Sequence, residues 1–423
     1  MRTFLAYVPA ARRLMYARGL RSLGQGMLVV NFALYLRALH WTAGSIGLLL
    51  TASGLVGAGL GLGVGYLSDR YGRKSFILIY ESITVASALA VTFITSSWII
   101  VAAAMVGSFG RGQNGGAGPF GPAEQAWLTR TVPATLRSRL FSQNAAIGFV
   151  GMGLGAAMAG MVGLFHPWLS GAAAFRPLFA LVFLGSAVNL FMLSPLKEDY
   201  ERPTHVTAAA QANASALTHE ENRALLRLSA TNALNGFAVG LTGPLVSYWF
   251  AVRFGVGPAA IGGLMAVSFV ATGFSNLATG AMAERLGPVR SVVSIRLVGV
   301  AMLVAMALMG NFVWASVFYF TRSLMNRGSV GARQAVSQSL TRDERRGVAA
   351  SYNMASMRMP ASVGPTVAGY LMEDGNLTLP FFLGAGLQLS YALLYGRLFG
   401  HMDEGLKRTR APAGKQVTRP PAV

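Results

Sequence analysis

The chain has 423 residues, of which 53% are hydrophobic and only 12% charged, with a formal net charge of +20 and a mean hydropathy of +0.49. A water-soluble domain carries about 25% charged residues, so a soluble globular fold is excluded. The absence of cysteine excludes disulfides and thiolate metal sites, and five scattered histidines offer no paired metal-ligand spacing.

In chain order, residues 1–13 combine charge with a short apolar stretch and lack a small-residue cleavage site, so they are expected as a cytoplasmic N-terminus. Twenty residues of helix cross roughly 30 Å of hydrocarbon. On that measure six crossings are predicted within 14–195, near 15–38, 44–66, 75–95, 97–121, 140–165 and 175–195. Residues 196–228 hold Glu198, Asp199, Glu201, Glu220 and Glu221 and read as a cytoplasmic linker. Six more crossings follow within 229–400, near 229–251, 258–282, 290–310, 312–332, 347–371 and 377–400, and 401–423 read as a disordered cytoplasmic tail. The predicted class is an all-α membrane protein of about twelve transmembrane helices in two six-helix bundles.

The strong positive charge does not point to nucleic acid, because of where it lies. Arg12, Arg13, Arg18, Arg21, Arg70, Arg73, Lys74, Arg130, Arg137, Arg139, Lys197, Arg290 and Arg346 fall in alternate inter-span loops or at their edges, and the other loops hold little beyond Arg37, Arg176 and Arg253. This positive-inside pattern puts both termini in the cytoplasm of a cell-membrane protein. Tyr35, Tyr248 and Trp249 fall near outer ends, where an aromatic belt is expected.

The two halves repeat. Ile46-Gly47, Gly65, Asp69, Arg70 and Gly72 match Ile261-Gly262, Gly280, Glu284, Arg285 and Gly287 at an offset of 215. Gln125-Ala126, Arg137, Asn144, Gly155 and Gly160 match Gln334-Ala335, Arg346, Asn353, Gly364 and Gly369 at an offset of 209. A parallel duplication of six helices implies a solute path at the interface of the halves.

Between the second and third predicted spans the chain reads Gly65-Tyr66-Leu67-Ser68-Asp69-Arg70-Tyr71-Gly72-Arg73-Lys74. This resembles the G-x-L-a-D-r-x-G-r-k signature of the major facilitator superfamily of secondary transporters. The fourth span carries Arg111-Gly112-Gln113-Asn114-Gly115-Gly116-Ala117, similar to the family's second motif. The resemblance covers residues 14 to 400 and implies alternating access between two bundles. It also implies a conformational latch at Gly65, Asp69, Arg70, Gly72 and Arg73, with Glu124 as a partner carboxylate and Glu284 and Arg285 as the degenerate second copy. It further implies a role for Arg111 in proton handling. Gly155-Ala156 stands where the antiporter branch has Gly-Pro, which weakens a drug:proton antiport reading.

Arg111, Arg296, Arg322, Arg327 and Arg358 lie within predicted spans against Glu81. Each central Arg costs roughly 3 kcal/mol against lipid, so these side chains must face a cavity, pair, or reach a helix end. An anionic solute held by Arg111, Arg322 and Arg358 is therefore expected, with Asn144, Asn353, Gln25 and Asn31 as polar contacts. Glu81, with Arg111, is expected to couple transport to protons. Helix capping and helix–helix hydrogen bonding are the competing structural roles for these residues. No P-loop or catalytic constellation is present, so neither an enzyme nor an ATP-driven pump is expected. The expected partners are the bilayer, a small anion and the proton, with no cofactor and a monomeric state. A multidrug efflux proton antiporter, a lipid flippase and a non-transporting sensor are the rival functions.

Overall fold

The computed structural model describes residues 8–107, 109, 118–133, 136–198, 219–328, 333, 336, 346–401 and 403. A helix lies on each of the predicted crossings. In the first half these are α1 (Pro9–Ala38), α2 (Ala43–Tyr71), α3 (Arg73–Phe93), α4 (Ser97–Gly107), α5 (Gly121–Arg130), α6 (Arg137–Met158) and α7 (Arg176–Leu193). In the second half they are α8 (His219–Thr242), α9 (Val246–Phe254), α10 (Pro258–Leu286), α11 (Pro288–Leu308), α12 (Phe312–Gly328), α13 (Arg346–Glu373) and α14 (Leu379–Phe399). Among the described residues, seven segments are long and apolar enough to cross a membrane by length and composition. The chain is a multi-pass membrane protein.

Local chemistry explains where the helices start and stop. Proline, which brings no amide hydrogen and is preset for helical φ, opens α1, α5, α7, α11 and α14. Thr42 caps α2 by accepting the Ser45 amide at 3.2 Å. The sharp turns into α3 and α11 fall on Gly72 and Gly287, with φ of 93° and 94°, a region that penalises a Cβ.

The boundaries depart from expectation in three places. α1 begins at Pro9, about a turn and a half before the apolar run does, because Leu14, Met15 and Arg18 are buried against neighbouring helices rather than exposed at an edge. α8 begins at His219, inside the expected linker. The fourth crossing has helix at both ends, α4 and α5, while residues 110–117, with Arg111, lie outside the described residues.

The packing follows the repeat. In the first half α1 packs on α6 and α7, α3 on α7 and α4, and α2 on α4. The second half reproduces each pair: α8 on α13 and α14, α11 on α14 and α12, and α10 on α12. Between the halves, α2 meets α13 and α6 meets α10. Lipid tails give no hydrophobic drive for helices to associate, so these pairs depend on close backbone approach. The repeat glycines supply it. A Cβ on Gly155 would fall on the Leu23 carbonyl, and one on the matching Gly364 would fall on the Gly240 backbone. Gly47 meets the Pro365 carbonyl across the halves, as its counterpart Gly262 meets the Ala156 carbonyl.

These contacts close one end of the molecule, the end bearing the short connections near residues 39–42, 166–170, 255–257 and 374–378. There the Gly44 amide donates to Glu373 Oε2 at 2.8 Å, the Thr366 amide to Thr51 Oγ1 at 3.1 Å, and Ser247 Oγ to the Val29 carbonyl at 3.0 Å. All three bonds cross between the halves. Tyr35 and Trp249 are fully buried in this sealed end, against Phe175 and Phe179 and against Phe250 and Phe381. They are therefore not the expected aromatic belt. Trp98 and Trp168 are instead the exposed tryptophans near this end, at 83% and 79%.

The opposite, basic end is fastened by two long-range caps. Glu198 accepts the Arg73 and Lys74 amides at 3.1 and 2.7 Å, and Asp403 accepts the Val289 and Arg290 amides at 3.0 and 2.7 Å. Each carboxylate follows the sixth crossing of its half and caps the third. Asp403, expected in a disordered tail, is helical and 1% exposed. Truncating either to alanine should cost about 1 kcal/mol, read as a lower melting temperature of the purified protein.

A Gly47→Val substitution should wedge the sealed end. The chain has no native cysteine, so a single Thr51→Cys reporter can be followed with a membrane-impermeant maleimide. Labelling is expected to rise about tenfold for each 1.4 kcal/mol lost from the closed state. An unchanged rate in folded protein would contradict the contact described.

Candidate functional site

The densest ionic cluster lies within the first half. Arg21, about 18 Å along α1 from Pro9 at 1.5 Å per residue, bonds two carboxylates. Its Nε donates to Glu81 Oε1 of α3 at 2.8 Å, its Nη2 lies 2.7 Å from the same oxygen, and its Nη1 pairs with Glu124 Oε2 of α5. Glu81 and Glu124 are 0% and 1% exposed. Asn189 Nδ2 adds a 3.4 Å bond to Glu81 Oε1 and a 3.3 Å bond to the Ala17 carbonyl. Tyr80 stacks on Phe120 at 4.7 Å and presents its ring to the Arg21 guanidinium at 5.8 Å. One oxygen of each carboxylate, Glu81 Oε2 and Glu124 Oε1, has no partner among the described residues.

Two residues of this cluster escaped the sequence reading. Arg18 and Arg21 had been assigned to the basic edge of the first crossing, whereas both are buried inside α1. Glu81 is not a solitary carboxylate, because Glu124 shares its arginine. Glu124, expected opposite Arg73, is engaged by Arg21, while Arg73 Nη1 donates to the Ala126 carbonyl at 3.2 Å. An i, i+3 pair of arginines inside the predicted first crossing was the available signal.

A cavity of about 40 Å³ opens beside Arg21, lined by Gln25, Gly24, Thr84 and Ser186 among others. It has room for about two waters. Gln25 thus faces this cavity. Asn31 instead ties helices together, donating to the Met27 and Ala159 carbonyls at 3.2 and 3.3 Å.

Two of the arginines expected to hold a solute, Arg322 and Arg358, lie in the second half. Arg322 of α12 donates from Nη2 to Thr242 Oγ1 at 3.0 Å. Arg358 of α13 reaches across the seam between the halves, its Nη1 lying 3.7 Å from a Cβ built on Gly61 of α2, beside the Pro119 carbonyl. Asn353 Oδ1 accepts from Asn232 Nδ2 at 2.6 Å. Asn144, its repeat counterpart, is buried with Oδ1 unpartnered among the described residues. The structure therefore brings Arg21, Glu81, Glu124 and Gln25 together, sets Arg358 at the seam and keeps Asn31 and Asn353 in interhelical bonds. Of the latch residues, Gly65 lies on α2, Arg70 is exposed over the Tyr71 ring at 5.7 Å and Gly72 forms the turn. The side chains of Asp69, Glu284, Arg285 and Arg327 lie outside the described residues, as does Arg111.

The duplicated packing, the seam and the motif loop converge on one family. The sequence matches the Major Facilitator Superfamily over residues 14–227 and again over 228–422. The chain belongs to this family. An uncharacterized membrane protein of Saccharomyces cerevisiae is 21% identical over 422 residues, covering 92% of this chain and 94% of the relative. The nucleoside transporter NupG superposes with a TM-score of 0.70 at 14% identity, over 93% of this chain and 99% of that one. A D-xylose-proton symporter gives 0.69 at 14% identity, over 91% and 96%. The major facilitator assignment makes the chain a solute transporter rather than an enzyme.

Removing Arg21 leaves two carboxylates buried without compensation. Arg21→Met is expected to destabilise the protein by about 3–5 kcal/mol. Combining it with Glu81→Gln should recover part of that loss. A double-mutant cycle on melting temperatures measures the coupling, and additive effects would mean the bonds contribute nothing specific.

Proposed function

We propose that the protein carries a small anionic solute across the cell membrane by alternating access, driven by coupled proton movement, as a monomer with both termini in the cytoplasm. The observation that carries this reading is the position of Arg358. A guanidinium at the seam of two half-bundles meets whatever passes between them, and its planar fork suits carboxylate or phosphate. Arg111 and Arg322 join it as cationic contacts, and Asn144 and Gln25 are the neutral polar ones, while Asn31 and Asn353 hold the helices that frame the path. The two halves, 14–195 and 229–400, rock about the glycine contacts, with 196–228 as the tether.

Glu81 is the proton carrier in this scheme. Its free Oε2 accepts a proton, and protonation weakens its hold on Arg21, which shifts to Glu124. The Gln25-lined cavity gives water a route to Arg21, and Arg111 answers the change in charge. The latch of Gly65, Asp69, Arg70, Gly72 and Arg73, with Glu124 and the second copy at Glu284 and Arg285, acts at the basic end. It engages when the short-loop end opens.

The test is uptake into proteoliposomes under an imposed pH gradient. Anions should be taken up, and Arg358→Ala and Arg111→Ala should each lower uptake about tenfold to a hundredfold, as for loss of a charge-assisted bond of 1.5–3 kcal/mol. Glu81→Gln should abolish pH-driven accumulation and spare solute exchange. A preference for cations or neutral amphiphiles would reject the anion reading and favour efflux of drugs. Undiminished accumulation by Glu81→Gln would reject the proton role.

A further inference from the structure

The internal repeat exposes an inversion of charge between the halves. Glu81 and Glu124, the two carboxylates around Arg21, correspond at offsets of 215 and 209 to Arg296 and Arg333. One half surrounds a cation with two anions. The other has two cations in the places of the anions.

The surroundings of these cations are polar and incomplete. Arg296, on α11, is 2% exposed, donates from Nη1 to Asn326 Oδ1 at 3.3 Å and lies 5.6 Å over the Tyr391 ring. Arg333 and Arg322, both of its own sign, are among the groups that act on it. Arg333, between α12 and α13, has Met357 Sδ at 3.8 Å from Nη1, a weak acceptor. Among the described residues no carboxylate pairs with Arg296 or Arg333. Among the described residues both Nε atoms lack a partner, as do both ends of the fully buried Gln388, one turn from Tyr391 on α14, and the hydroxyls of Tyr391 and Tyr395.

Guanidinium groups with no counter-charge among the described residues incur desolvation and mutual repulsion together. Unsatisfied buried donors at this density call for an ion or solvent as their missing partner. Guanidinium, amide and phenol groups are all hydrogen-bond donors, and guanidinium forks favour a planar or tetrahedral oxyanion over a spherical halide.

We propose that the interior of the second half binds a small oxyanion between α11, α12 and α14, with Arg296 and Arg333 as its charged arms and Asn326, Gln388 and Tyr391 as neutral donors. The anion occupies the counter-charge role that Glu81 and Glu124 fill in the first half. This site goes beyond the transport reading, because it can be filled whether or not the transported solute is anionic. The same chemistry is met by a free inorganic ion or by the carboxylate or phosphate group of a solute.

The experiment is thermal melting of the purified full-length protein in sodium sulfate, phosphate, acetate or a phosphate ester, against sodium chloride at equal ionic strength. An oxyanion at a hundredfold excess over its Kd should raise the melting temperature by roughly 5 °C and then saturate, with no such rise in chloride. Arg296→Gln and Arg333→Gln should lose the response, and Glu81→Gln should keep it. A response to sulfate or phosphate identifies a free ion; a response confined to the organic anions identifies a solute group. Should Arg296→Gln fail to fold, the half-buried Arg333→Gln decides. Absence of a saturable response, or an undiminished response in Arg333→Gln, overturns the site. Transport of neutral solutes alongside a saturable oxyanion response would instead overturn the anion-transport reading and leave this site standing.

Discussion

Helix backbones that touch through glycine hold this molecule together. In a hydrocarbon solvent apolar side chains gain little by leaving lipid for protein, so association depends on how closely two backbones can approach. The matched pairs Gly155 with Gly364 and Gly47 with Gly262 make equivalent contacts in the two halves, the first pair within each half and the second between them. The first kind sets each bundle as a unit, and the second lets two units meet along a thin, shallow seam. A seam made of backbone and small side chains separates with little loss of side-chain packing.

Electrostatics divides the halves that packing makes alike. Around Arg21 the first half satisfies its buried charge internally, with Glu81 and Glu124 as direct partners. The second half carries Arg296, Arg322 and Arg358 on helices of the same topology, and its described bonds from these guanidinium groups go to neutral atoms such as Thr242 Oγ1 and Asn326 Oδ1. Duplication preserved the backbone plan and left the charge plan free to diverge. The result is an electrically asymmetric carrier with its positive field on one side of the seam.

Much of the fold was legible in the sequence, because hydrocarbon forces every backbone polar group into helix and so writes the crossings as apolar runs. The repeat was legible through glycines, whose spacing is fixed by contact rather than composition. Arg18 and Arg21 were misread because hydropathy registers a charge as the end of a run, although paired charge can lie deep within one. Glu124 was given the wrong companion since proximity in the motif says nothing about which arginine a neighbouring helix delivers. Glu198 and Asp403 left no local trace. Each sits in a polar segment that reads as linker or tail, and its role appears only when the chain has returned over 124 or more residues in one case and 113 or more in the other.

Those two carboxylates bear on how the carrier moves. By gripping the start of the third crossing of each half, Glu198 and Asp403 tie the end of that half to its middle. A half tied in this way resists shear among its own helices, so flexure is displaced to the joint between the halves. Glu198 thus anchors the end of the first half at the base of α3, the helix that carries Glu81 and its bond to Arg21.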